Sequence, residues 1–182
     1  HKWLCAPKGA AFLYVKRSKQ PQIRPLTISH GANSKLTHKS LYQLEFDWMG
    51  TDDPTAYMCV GEAIQFMGSL LDGGWNELMQ RNHDLVMHGR QIICEMLNMA
   101  PPCPEEMIGS MSSLTVPKIL DKYTYISLHD ELFDKYGIEV QVVPWQGESK
   151  LLFRISAQIY NSIEQYNSLG EALQEIIKSL TL

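Results

Sequence analysis

The chain has 182 residues, 45% of them hydrophobic and 20% charged, with 16 Lys and Arg against 20 Asp and Glu for a net charge of -4. That balance gives no basic field for nucleic acid and no polybasic patch for a membrane surface, and no apolar run reaches the roughly 18 residues of a transmembrane helix. The length suits one domain with a sizeable core, or part of a larger enzyme. The four cysteines, Cys5, Cys59, Cys94 and Cys103, show neither Cys-x-x-Cys nor zinc spacing, so no metal site is expected. They fit reduced thiols of a cytoplasmic protein, although an even number is also open to pairing in a secreted one.

The chain opens on His1-Lys2, followed by a Pro7-Lys8-Gly9 turn and the apolar run Ala11 to Val15. This order predicts a reactive loop feeding a buried strand. Lys2 is the candidate reactive group: a lysine amine condenses with an aldehyde where its surroundings hold down its charge, though a solvated surface lysine is the common alternative. His1 is either a ligand beside it or a solvated terminus.

Lys16 to Ser40 is polar and irregular, the kind of segment in which binding residues sit. Arg24 and His30 stand out within it, equally open to touching substrate and to facing solvent. Gly50-Thr51-Asp52-Asp53-Pro54 predicts a turn and a helix start, with Thr51 or Asp52 as cap and Pro54 in the first turn. A Gly-Thr step at such a point also suits an anion.

Tyr57, Val60, Ile64, Met67 and Leu71 recur at helical spacing, and Asp72-Gly73-Gly74 ends that pattern. A second helix is expected to carry Trp75, Leu78, Leu85, Ile92 and Met96, with Asn82 and Gly89 interrupting its stripe. Pro101-Pro102-Cys103-Pro104 then marks a boundary, dividing the chain into 1–100 and 101–182. Beyond it come a strand at Ser110–Val116, a helix at Ser127–Tyr136 closed by Gly137, a strand at Ile138–Val143 and a strand at Lys150–Ala157. A final helix begins at Asn161 or Ser162, with Ser162 and Gln165 at capping-box spacing. These elements define an α/β fold whose last part packs helices on an antiparallel or mixed sheet.

The last informative string is Arg154-Ile155-Ser156-Ala157-Gln158-Ile159-Tyr160-Asn161. An arginine among apolar strand residues is either paired or faces a cavity, because an unpaired buried charge is prohibitive. Its planar fork matches a carboxylate in two parallel hydrogen bonds. A structural salt bridge to Asp or Glu is the other option.

The opening string and the Arg154 string, in this order, resemble the class V aminotransferase family of fold-type I pyridoxal-phosphate enzymes, in particular its isopenicillin N epimerase-like branch. The resemblance runs over essentially the whole sequence but covers only the C-terminal portion of the family pattern. It implies the end of a large cofactor-binding domain in 1–100 and a small α+β domain in 101–182. It further implies pyridoxal phosphate held by Lys2 as a Schiff base, with His1 on the phosphate. Thr51 would bind the phosphate of the partner subunit in a homodimer. Arg154, with Asn161 beside it, would hold the carboxylate of an amino-acid substrate, and Arg24 and His30 would lie near the entrance. Gln141 to Ser149, where cysteine desulfurases carry a nucleophilic Cys, contains none, which disfavours desulfuration. Epimerisation, C–S lysis and transamination remain open. The rival expectation is a catalytically inactive fragment or pseudoenzyme that serves as an interaction module.

Overall fold

The computed structural model describes residues 1–145 and 150–181. The chain packs as two compact units, His1–Met67 and Gly68–Leu182.

The first unit is mostly irregular. Its helices are α1 (Leu41–Asp47), α2 (Thr55–Met58) and the larger part of α3 (Val60–Gly68). Ser40 and Gln43 cap α1 reciprocally: the Gln43 N–H donates to Ser40 Oγ at 3.2 Å and the Ser40 N–H to Gln43 Oε1 at 3.0 Å. The loop before it docks through Gly31, where a Cβ would stand 1.9 Å from the Leu44 carbonyl oxygen. The apolar run Ala11–Val15, expected as a buried strand, forms none, and Phe12, Leu13 and Tyr14 are exposed. A strand is stabilised by a neighbour that completes its ladder, and no described strand pairs with this run.

The second unit holds a three-stranded antiparallel sheet in the order β1 (Met111–Thr115), β3 (Lys150–Ser156), β2 (Gln141–Trp145). The helices α4 (Gly74–Met96), α5 (Tyr125–Tyr136) and α6 (Ile163–Ser179) supply the rest of its core. Leu114, Val142, Phe153 and Ile155 point inward from the strands onto Val86, Ile93, Leu128, Leu132, Leu169 and Leu173. Alternation along β3 turns Leu152, Arg154 and Ser156 to the opposite face.

Local chemistry explains most boundaries. Thr124 and Ser127 cap one another's N–H groups at 2.9 and 3.0 Å, so α5 starts two residues before the expected Ser127. Gly137, at φ 67°, closes it with Gly137 N–H on the Phe133 carbonyl and Ile138 N–H on the Leu132 carbonyl. Because Ile138 is used in that cap, β2 begins at Gln141 rather than at Ile138. β2 is an edge strand, which is why it accommodates Pro144.

The stripe of α4 differs from the expected one. Its buried residues are Leu78, Asn82, Val86, Gly89, Arg90, Ile93 and Cys94, so Asn82 and Gly89 lie inside the contact and do not interrupt it. Asn82 Nδ2 donates to Gln158 Oε1 at 2.9 Å. Gly89 lets α6 approach so closely that a Cβ there would lie 2.6 Å from the Tyr166 ring, and Gly170 does the same on α6 opposite Met96.

Candidate active site and substrate-binding strand

In the first unit, Lys2 sits in a tight turn closed by Cys5 N–H on the Lys2 carbonyl at 3.2 Å and Ala6 N–H on the His1 carbonyl at 3.0 Å. Cys5 takes a positive φ of 51° to complete it. His1 and Lys2 are both exposed, and among the described residues the Lys2 ammonium has no hydrogen-bond or ion-pair partner. Its amine is therefore accessible.

Thr51 lines a cavity of about 740 Å³ together with Ala11, Leu13, Tyr42, Trp48 and Tyr57. It follows Gly50, whose φ of 133° is one that L side chains rarely adopt. The expected cap of α2 is corrected here: Pro54 stands at the N-cap with no side-chain cap bond, and Asp53 Oδ1, neither Thr51 nor Asp52, accepts the Thr55 N–H, at 2.9 Å. The paired donation from Thr55 holds the Asp53 carboxyl below the usual carboxylate range. The Thr51 hydroxyl is left beside the cavity, a donor of the kind a phosphate oxygen takes.

Arg24 is engaged. Its guanidinium donates to Glu45 through Nε at 3.0 and 3.3 Å and through a further contact from Nη2. The hydrogen bonds to Glu45 raise the Arg24 pKa above its ordinary value. Glu45 is the member of this pair that the sequence did not single out; it is 3% exposed, and its only sequence signal is the Ser40–Gln43 box that fixes α1. His30 opens a 3-10 turn, His30–Asn33, and is exposed.

In the second unit, Arg154 stands in the central strand with Ser113 and Gln141 as its cross-strand neighbours. It is exposed, and among the described residues it has no hydrogen-bond or ion-pair partner. It borders two cavities. One contains Gln141, Tyr160, Asn161 and Gln165; the other contains Met107, Met111, Trp145 and Leu152. Of the two options left open for this arginine, the described residues show the one that faces a cavity. Residues 146–149, the later part of the interval in which a desulfurase cysteine would fall, lie outside the described residues.

Asn161 shares the first of these cavities with Arg154, and its side chain shapes the turn after β3. Asn161 Oδ1 accepts the Gln158 N–H at 2.9 Å and Nδ2 donates to Gln165 Oε1 at 2.8 Å. Two further arginines hold neighbouring segments. Arg81 donates to the carbonyls of Gln158 at 3.5 Å and Asn161 at 3.3 Å, and buried Arg90 donates to the Cys103 carbonyl. Arg90 belongs to the polar part of the buried α4 stripe, which a purely apolar template does not register. Among the described residues no group of three His, Cys, Asp or Glu side chains is placed to hold a metal ion, and no helix is long and apolar enough to cross a membrane.

The chain is mixed α/β with a small antiparallel sheet, the fold class expected from its sequence. No protein-family model matches the chain. Over 98% of its length it is 29% identical to a probable L-cysteine desulfhydrase, chloroplastic, of Arabidopsis thaliana, of which it covers 38%. It is 28% identical to the isopenicillin N epimerase of Amycolatopsis lactamdurans, over 98% of the chain and 46% of that protein. The chain thus spans less than half the length of these relatives. Among solved structures, 8-amino-7-oxononanoate synthase from Francisella tularensis shares the fold over 77% of this chain and 37% of that one, with a TM-score of 0.52 at 14% identity. The chain is a homologue of the cysteine desulfhydrases and isopenicillin N epimerases, the branch that its Lys2 and Arg154 motifs resemble.

Proposed function

We propose that the chain is the C-terminal portion of a pyridoxal-phosphate enzyme of the class V aminotransferase type that acts on an amino acid. In it, 1–100 ends the cofactor domain and 101–182 forms the small domain. The observation that carries this reading is Arg154, a guanidinium on a central strand with no partner among the described residues, in a chain homologous throughout to such enzymes.

Pyridoxal phosphate, when bound, supplies an aldehyde for imine formation and an electron sink for negative charge at the substrate Cα. The residues of this chain do the remaining work. Lys2 would hold the cofactor through its amine and, as a base, would take and return the proton at Cα. His1 and, from the partner subunit of a homodimer, a Thr51 hydroxyl donate hydrogen bonds to the phosphate. Arg154 grips the α-carboxylate with both arms of its fork, with Asn161 beside it, which leaves Cα as the free centre. Arg24, tied to Glu45, and His30 border the entrance. C–S lysis and epimerisation both start from this arrangement, and the names of the relatives favour these two over desulfuration to a persulfide. A cytoplasmic location belongs to the same proposal; a fluorescent fusion found in plastids, the compartment named for the Arabidopsis relative, would overturn it.

The test is made on the full-length protein. Lys2→Ala abolishes the visible absorbance of the bound cofactor, whereas Arg154→Ala keeps that absorbance and raises the substrate concentration needed for half-saturation by more than about tenfold. An equal effect of Arg154→Ala on cofactor and substrate contradicts the assignment. Mixing Lys2→Ala and Thr51→Ala subunits restores one complete site per hybrid dimer if Thr51 acts across the interface, and restores none if it acts within its own subunit.

A further inference from the structure

The outer face of the sheet carries a feature that the carboxylate-binding role of Arg154 does not use. Beside the guanidinium lies a recess of about 530 Å³ whose walls include Met107, Ile108, Met111, Trp145 and Leu152. Antiparallel register fixes its geometry. Thr115 and Val143 flank Leu152 directly, and Met111 pairs with Ser156 on the far side of Arg154. Residues two apart on one face stand roughly 7 Å from one another, a distance that an amino-acid side chain spans from its own carboxylate. Among the described residues, Arg154 is the sole charged group on the recess. Met107 is 73% exposed, Trp145 56% and Met111 41%, so these large apolar side chains present open surface. On the other side of Arg154, by contrast, the cavity wall carries Gln141, Asn161 and Gln165.

We propose that this recess is the side-chain subsite of the Arg154 carboxylate site, and that it selects substrates with an unbranched or aromatic apolar side chain over charged ones. The inference rests on the carboxylate role proposed above. One positive group at the rim of a recess otherwise lined by uncharged side chains, mostly apolar with the hydroxyls of Ser113 and Thr115 among them, complements a ligand with one carboxylate and an apolar tail. Trp145 offers an indole face and Met107 and Met111 flexible thioethers, surfaces that adapt to tails of different shape. A second charge on the ligand would find no counter-charge among the described side chains of the recess and would lose its hydration.

The test uses carboxylates that lack an amine and so form no imine: acetate, butyrate and hexanoate, titrated into the holoenzyme and followed by ligand-detected NMR. Each added methylene buried in the recess tightens binding about fourfold. Trp145→Ser and Met111→Ser, both at exposed positions that the fold tolerates, flatten that dependence to less than about twofold per methylene and leave acetate unchanged. Arg154→Gln weakens all three ligands by a similar factor and preserves the dependence on length. A wild-type protein that binds the three equally, or a length dependence that survives both recess variants, overturns the subsite. Acetate binding untouched by Arg154→Gln overturns the carboxylate role itself, so the two failures are read separately.

Discussion

Gly89→Ala adds one methyl group at the closest approach of α4 and α6. The new carbon would stand 2.6 and 2.7 Å from two Tyr166 ring carbons, about 1 Å inside the usual separation of roughly 3.5–4.0 Å. The ring has little room to move. Tyr166 is 5% exposed, and its hydroxyl donates to the Ser156 carbonyl at 2.7 Å, two residues beyond Arg154. Overpacking of this kind costs about 1–3 kcal/mol, and loss of the tyrosine hydrogen bond adds about 1 kcal/mol. Replacing a mid-helix glycine by alanine returns about 1 kcal/mol. The net expectation is a destabilisation of about 1–3 kcal/mol, read as a lower urea midpoint with an unchanged slope. Gly61→Ala is the control: its Cβ meets nothing within 4 Å, so it stabilises the protein by up to about 1 kcal/mol. A Gly89→Ala protein as stable as the parent would refute the close-packing argument.

Gly170→Ala destabilises less than Gly89→Ala in the same urea titration, because the atoms it meets belong to the flexible Met96 side chain. Asn82→Asp keeps the shape but removes the donor to Gln158 and buries a charge, and unfolding curves should show a loss of about 2–3 kcal/mol. Tyr123 is pushed up to about 12 from the ordinary 10.0 by burial and by its hydrogen bond to Glu131. A raised phenol pKa means that the folded state favours the neutral form. Its stabilisation is fully present below pH 10 and is lost as pH rises toward about 12. Tyr123→Phe removes this part of the alkaline decline in melting temperature; a decline of unchanged slope between those pH values contradicts the assignment.

Short-range chemistry was legible in the sequence where the deciding residues are neighbours. The Gly137 cap is an example, and so is the start of α6, where the Ser162 N–H donates to Gln165 Oε1 at 3.2 Å. The strand that carries Arg154 was legible from its β-rich composition, but alternation along it leaves Arg154 exposed and not buried among Leu152, Phe153 and Ile155. What the sequence hides is decided by partners far along the chain. Asn82 and Gly89 look like breaks in an apolar stripe until Gln158 and Tyr166 are seen against them. The run Ala11–Val15 has strand composition, yet composition does not supply a ladder. Thr51 and Asp52, the expected caps, and Asp53 are alike by residue type, and residue type alone does not tell that Asp53 meets the Thr55 N–H. Glu45 is invisible as the partner of Arg24 because 21 residues separate them.

In the proposed site one amine, that of Lys2, carries the cofactor. Borohydride reduction of the full-length protein loaded with pyridoxal phosphate, followed by peptide mapping, tests it directly. A single pyridoxyl group is expected, on Lys2; a label on Lys8 or on any other lysine, with Lys2 unmodified, overturns the assignment.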